Sequence, residues 1–283
     1  MSDDRRGFLR GLVRSAAAQA GAPQDAGPVA AGPPRTAASL SDDEVERYSR
    51  QLVLPEWSEA AQLAVREASV LVVGAGALGS PVTAYLAGAG VGRLGIVDHD
   101  DVEVSNLHRQ TLHFTPDVGV PKAQSAAAKL RFLNPEVVVD PYQAPFSAPM
   151  VEGADLVVDC SDSFATRYEV NAACCAARVP LVEGGVVGLS GLVMAVRPGE
   201  SACYRCVFPE PPPPGAAPSC AAAGVLGPAA GVIGSLQALE ALKLIVGHEG
   251  ALLDAFLQVD LHDHAFLRVT VNRRADCPDC GAL

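Results

Sequence analysis

Apolar residues fall in short unbroken runs separated by segments of helical spacing. Ser69-Val70-Leu71-Val72-Val73 is the clearest run, and its β-branched and leucine content is the pattern of a strand buried on both faces. Residues 94–98, 137–140, 156–159 and 181–183 supply further strands. Between them, Ser41-Asp42-Asp43-Glu44 has the spacing of a capping box and starts a helix predicted to run through Arg50. A second short helix fits residues 58–67, and a small-residue helix extends to about Gly90. Pro121 opens another that Asn134-Pro135 ends, and a further one spans about Phe164 to Arg178. Strand–helix alternation on this scale predicts a parallel, doubly wound α/β sheet.

Beyond Gly185 the pattern changes. Residues 191–197 read as a strand, 209–218 as a proline-rich loop and 228–246 as a long apolar helix. Residues 253–260 and 265–272 alternate apolar and polar positions like a half-buried hairpin. The sheet is therefore expected to be mostly parallel, with an antiparallel C-terminal extension.

The first forty residues stand apart. Between Ser15 and Ala38 most positions are Ala, Pro or Gly, which bury too little apolar surface to offset their ordering entropy, so disorder is expected. Five Arg and three Asp give this stretch a charge of +2, so the −11 of the 283-residue chain becomes −13 on the body. Arg5-Arg6-Gly7-Phe8-Leu9-Arg10 looks like a twin-arginine export signal, and Ala18-Gln19-Ala20 like a cleavage site. Arg14 interrupts the apolar stretch such a signal needs, and a basic flexible extension is the better reading. The uncharged span from Pro211 to Leu239 contains Pro, Gly, Ser and Gln, and reads as a loop and a buried helix, not a membrane span. The expected organisation is a disordered extension over residues 1–40 and a single domain over 41–283. With 49% hydrophobic residues the body can bury a core, and 21 basic against 32 acidic residues argue against general nucleic-acid binding.

Candidate chemistry begins where the first strand ends. Gly74-x-Gly76-x-x-Gly79 follows a hydrophobic strand and opens a helix, and Asp98 ends the next strand 19 residues after Gly79. In that context Gly74 allows the tight turn, Gly76 lets a phosphate approach the backbone, and Gly79 permits close helix–sheet packing. Asp98 stands where a ribose-binding carboxylate belongs, and the helix N-terminal amides would face the ligand. The motif points to an adenine nucleotide without saying which; alone, it favours NAD and a dehydrogenase.

The next loop changes that choice. Asp98-His99-Asp100-Asp101-Val102-Glu103-Val104-Ser105-Asn106-Leu107-His108-Arg109-Gln110 is too polar for an ordinary connection. Upstream stands Arg47-Tyr48-Ser49-Arg50-Gln51; downstream come Gly119-Val120-Pro121-Lys122 and Asp159-Cys160-Ser161-Asp162. With these segments in this order, the chain from about Ser41 onward resembles the ubiquitin-activating-enzyme-like adenylyltransferases of the MoeB/ThiF/HesA group. Physically, Arg50, Arg109 and Lys122 could neutralise a triphosphate. Asp162, just past the C-terminal end of a strand, could hold magnesium.

The resemblance implies a Rossmann-like fold and a role for each matching residue. Asp98 would hold the ribose, Ser105, Asn106, Leu107, His108, Arg109 and Lys122 would surround the phosphates, and Asp100 and Gln110 would complete the nucleotide-binding residues. Asp162 would bind Mg²⁺, with Ser163 beside it where many relatives carry Asn. Arg50 matches an arginine that reaches the phosphates from the other subunit, so a homodimer is implied. The implied reaction is adenylation by ATP of the C-terminal carboxylate of a small ubiquitin-fold sulfur carrier ending in Gly-Gly. That carboxylate is already ionised at neutral pH, so no general base is needed. The activated carrier would then serve sulfur transfer in molybdopterin, thiamine or another synthesis. No rhodanese-like domain is expected after Leu283, the sulfur donor is expected to act in trans, and a cytoplasmic location is expected. The rival readings are an NAD-dependent oxidoreductase and a nucleotide-binding interaction protein without catalysis.

Eight cysteines sort by spacing. Cys203-x-x-Cys206 and Cys277-x-x-Cys280 are two pairs that together suit a closed tetrahedral Zn²⁺ site, against a redox pair or two disulfides. The resemblance implies the same structural zinc. Cys220, after the proline-rich loop, matches a position that is a reactive cysteine in some relatives; an inert loop thiol is the alternative. Cys160, Cys174 and Cys175 read as packing residues, and His262-x-His264 as a surface feature.

Overall fold

The computed structural model describes residues 39–213 and 224–283. Cys220 and all but the last two residues of the expected N-terminal extension lie outside the described residues.

The apolar runs become strands because each can be covered on both sides. In β1 (Ser69–Val73) every residue is buried, and the two-residue period splits it. Val70 and Val72 join one core cluster, Leu71 and Val73 the other. Three crossover helices follow: α4 (Gly79–Ala89) leads into β2 (Arg93–Val97), α5 (Lys122–Leu133) into β3 (Val138–Tyr142), and α6 (Phe164–Ala177) joins β4 (Leu156–Asp159) to β5 (Leu181–Val187). β1 to β5 pair in parallel. β6 (Ser190–Val196), β7 (Ala255–Asp260) and β8 (Ala265–Thr270) then add antiparallel strands, as the change in pattern suggested. Among the described residues these make one eight-stranded sheet in the order β3-β2-β1-β4-β5-β6-β7-β8.

Helices cover both faces. α3 (Glu59–Glu67), α4, α5 and the long α8 (Gly227–Ile245) share one core cluster. α6 and the cysteine pairs share the other, with Cys174 and Cys175 buried as packing residues.

Two expectations are corrected. The capping box forms as read, with Ser41 Oγ accepting from Glu44 N at 3.2 Å and Ser41 N donating to Glu44 Oε2 at 2.8 Å. However, the helix breaks at Tyr48 into α1 (Asp42–Arg47) and α2 (Ser49–Leu52). The break turns the Tyr48 ring inward, where Asn134 Nδ2 donates to its hydroxyl at 2.9 Å. The hairpin is half-buried only on β7. β8 is the edge strand and leaves Phe266 and Leu267 more than half exposed.

Candidate functional site

β1 pairs with β2 on one side and β4 on the other, so the crossovers leave it in opposite directions. A crevice opens at the carboxyl ends of strands at such a switch point. Here it is a cleft of about 250 Å³, bounded by the glycine turn after β1, Asp98 after β2, the turn after β4 and the N-terminus of α5.

The three glycines play separate parts. Gly74 has φ +99°, and a Cβ there would meet the Cys160 carbonyl oxygen at 2.9 Å. A Cβ on Gly79 would lie 1.9 Å from the Gly74 carbonyl oxygen, so helix and turn can close only around glycine. Gly76 differs: its Cβ would meet nothing nearer than Gln110 Nε2, at 3.5 Å. The fold needs no glycine there, and the space it leaves opens into the cleft.

The turn is held from both ends at Ala75. Its N–H donates to Asp98 Oδ2 at 2.8 Å, and its carbonyl oxygen takes a 2.8 Å bond from His113 Nε2. A carbonyl only accepts, so Nε2 carries the proton and Nδ1 accepts from the Ser125 hydroxyl, also at 2.8 Å. Lys129 donates to the same hydroxyl and pairs with Asp117. Burial pushes the His113 pKa down to about 4, with the Lys129 and Lys122 ammonium groups adding to it. Sequence reading missed His113, because a lone histidine in a loop has no spacing signal.

Asp98 Oδ1 accepts from Asp100 N at 2.8 Å, so each carboxylate oxygen keeps a lone pair for a ligand hydroxyl. Burial raises its pKa against the pull of Lys122. Lys122 is itself buried and donates to Asp100 Oδ2 at 2.8 Å. That hydrogen bond, with the ammonium charge behind it, holds the Asp100 carboxyl below its usual range.

Of the loop residues singled out in the sequence, Arg109 and Gln110 line the cleft; Ser105, Asn106, Leu107 and His108 do not. They form the turn that carries Arg109, whose Nη1 donates to Ser105 O and to His108 Nε2, each at 2.8 Å. Asp162 and Ser163 line the opposite wall, and Ser163 also caps α6. Arg50 is not in this cleft. It lies on α2, whose neighbour Gln51 donates to Ala89 O at the end of α4. That is the edge of the sheet where β2 begins, opposite the glycine turn, so a chain does not bring Arg50 to its own cleft.

Arg109, Lys122 and Arg167 face Asp98, Asp100, Asp162 and Glu169 across the lining. A triphosphate in this cleft needs further positive charge, and Asp162 offers oxygen donors suited to a hard divalent cation. Arg167 and Phe146 were not singled out in the sequence, although Phe146 follows β3 at the edge of the sheet where ligands bind.

The four paired cysteines meet behind α6, all reduced and buried. Sulfur separations are 3.8 Å for Cys203–Cys206, 3.6 Å for Cys203–Cys277 and 3.4 Å for Cys206–Cys280. A tetrahedron with Zn–S bonds of about 2.3 Å has sulfur–sulfur edges of about 3.8 Å, whereas a disulfide needs about 2.05 Å. The donor set therefore fits zinc and not two disulfides. Asn171 Nδ2 donates to Cys203 Sγ at 3.6 Å and Arg274 N to Cys206 Sγ at 3.4 Å, the outer partners a thiolate site uses.

Fold and site thus define an α/β nucleotide-binding protein with a thiolate knuckle bound into its core. Comparison with known families is more specific. The chain belongs to the ThiF family, whose model matches residues 48–280. It is 48% identical over 248 residues to the sulfur carrier protein adenylyltransferase of Thermus thermophilus, covering 84% of this chain and 92% of that one. It is 49% identical over 259 residues to the adenylyltransferase and sulfurtransferase MOCS3 of Sus scrofa, covering 90% of this chain. The chain spans only 56% of that longer relative. Among solved structures, Escherichia coli MccB with ATP matches with a TM-score of 0.73 at 23% identity, over 83% of this chain and 74% of that one. That likeness concerns the fold alone.

Proposed function

We propose that the chain is an ATP-dependent adenylyltransferase that activates the C-terminal Gly-Gly carboxylate of a small ubiquitin-like sulfur carrier. The observation that carries this reading is the cleft at the β1–β4 switch, where Gly76 leaves backbone open that the fold itself does not require. The names of the relatives support the substrate.

In this reading a carboxylate oxygen of the carrier attacks the α-phosphorus of ATP. The bond to the β-phosphate oxygen breaks, pyrophosphate leaves, and the carrier terminus becomes an acyl adenylate. Asp98 receives the ribose hydroxyls, Gly76 and the N-terminus of α4 receive phosphate oxygens, and Arg109 and Lys122 bear on the developing charge. Asp162 holds magnesium, which when bound neutralises phosphate charge. Arg50 reaches the cleft from the partner in a homodimer, since its own cleft lies across the sheet. The Cys203, Cys206, Cys277 and Cys280 thiolates hold zinc as a structural clasp, with four protein ligands and no position left for substrate. The enzyme acts in the cytoplasm, in molybdopterin or thiamine synthesis. Among the described residues no helix is long and apolar enough to cross a membrane.

Pyrophosphate exchange into ATP tests the reading. Exchange should require a Gly-Gly-terminated carrier, and Asp162→Ala should abolish it with zinc content unchanged. No exchange with any carrier would sink the proposal, and carrier-independent reduction of NAD would favour an oxidoreductase.

A further inference from the structure

Behind the cleft lies a group of charges that this reaction does not use. Asp159 closes β4, Glu183 is its register partner on β5, and neither has exposed surface. The guanidinium against them belongs to Arg167, in the first turn of α6, whose Nη1 lies 3.4 Å from Glu183 Oε1. Tyr204, from the thiolate knuckle, faces Glu183 and Arg167. The thiols of Cys160 and Cys174, both held neutral by burial, complete the surroundings. Two carboxylates against one guanidinium leave a buried negative charge, and a proton is the cheapest way to remove it.

Hydrogen bonding leads to the same place. Asp159 Oδ1 accepts from Ser161 N at 2.8 Å. Asp159 Oδ2 and Glu183 Oε2 accept no hydrogen bond among the described residues, and Glu183 Oε1 has only the 3.4 Å ion pair with Arg167, while the two carboxyl groups stand side by side as register partners on neighbouring strands. Two acceptors so placed are satisfied by a proton between them. Burial raises both carboxyls, and the charge of Asp159 pushes Glu183 further.

The group grips one short segment. Asp159 holds the Ser161 N–H, while Arg167 Nη2 donates to the Ser161 carbonyl at 3.0 Å. Gly185 fixes the place of the guanidinium, since a Cβ there would lie 2.5 Å from Nη1. The next residues, Asp162 and Ser163, line the cleft. We propose that Asp159 and Glu183 share one proton and, with Arg167, clamp the turn at Ser161 so that Asp162 is presented to the nucleotide. Glu183 is thus a positioning residue. The shared proton stands on its own, whereas its effect on turnover rests on the adenylation reading.

Infrared spectra of the full chain and of Glu183→Gln at neutral pH test the proton. The wild type should show the carbonyl stretch of a protonated carboxyl, and Glu183→Gln should lose it; identical spectra overturn the proposal. Exchange kinetics test the clamp. Glu183→Ala should raise the Mg²⁺ concentration for half-maximal exchange about tenfold, the size of one lost charge-assisted hydrogen bond. Glu183→Gln, neutral and of the same shape, should stay within about twofold. Equal effects in both variants, or none in either, overturn the clamp. If Glu183→Ala does not fold, Arg167→Lys replaces it, since a lysine cannot reach both Glu183 and the Ser161 carbonyl, and the same two outcomes apply. Absence of exchange in the wild type would defeat the adenylation reading and leave the infrared result to decide the shared proton.

Discussion

Replacing His113 by Gln should remove a specific part of the chain's acid sensitivity. The ring donates through Nε2 to Ala75 O and accepts at Nδ1 from Ser125, so a second proton would have to reverse the Ser125 hydrogen bond and sit close to Lys129. Its pKa falls from 6.5 to about 4 in the folded chain. Between those values the unfolded chain binds the proton and the folded chain does not, so stability rises with pH across the window. The contribution is complete above about 6.5 and is lost as pH falls towards about 4. At about 1.4 kcal/mol for each tenfold in proton affinity, it amounts to about 3 kcal/mol. Urea unfolding at pH 7 and near pH 4, with zinc and chain concentration fixed, measures it in both chains. Wild type should lose about 3 kcal/mol more than His113→Gln across the window. Buried carboxyls also titrate there, but they are common to both chains and cancel to first order. Parallel pH profiles would refute the placement of a neutral His113 under the glycine turn.

Other variants separate folding from binding. Gly79→Ala should cost about 3 kcal/mol or more, visible as a lower Tm, because its Cβ meets backbone. Gly76→Ala should keep stability within about 0.5 kcal/mol while weakening ATP binding at least about tenfold by calorimetry. Arg50→Ala and Asp162→Ala should each be inactive, yet mixed subunits should recover about a quarter of wild-type exchange, as one intact site forms in half the dimers. No recovery would place Arg50 outside the partner's site. Asn171→Ala should lower zinc affinity about 10- to 100-fold in a chelator competition and leave ATP binding unchanged.

Much of the fold was legible because buried parallel strands are written as unbroken apolar runs, and β1 was read to the residue. The break at Tyr48 was not legible, since it depends on Asn134, distant in sequence, reaching the tyrosine hydroxyl. The exposure of β8 likewise follows from its place at the sheet edge, which alternation cannot reveal. In the site, the motif with fixed spacing anticipated the tight packing at Gly74 and Gly79, and the spacing of the cysteine pairs anticipated four thiols brought together. In the polar loop Arg109 and Gln110 line the cleft, while Ser105 to His108 form the turn that carries Arg109. His113, Arg167 and Glu183 were invisible, because their roles arise from tertiary contacts between strands, helices and one turn.

In the proposed function this cleft transfers AMP to a carrier's terminal carboxylate. Intact-mass measurement after incubation with ATP, Mg²⁺ and a Gly-Gly-terminated carrier tests it most directly. The carrier should gain one AMP at its C-terminus, and a carrier lacking the terminal glycine should gain none. ATP consumed with the carrier unmodified, or AMP found on the enzyme alone, would contradict the account.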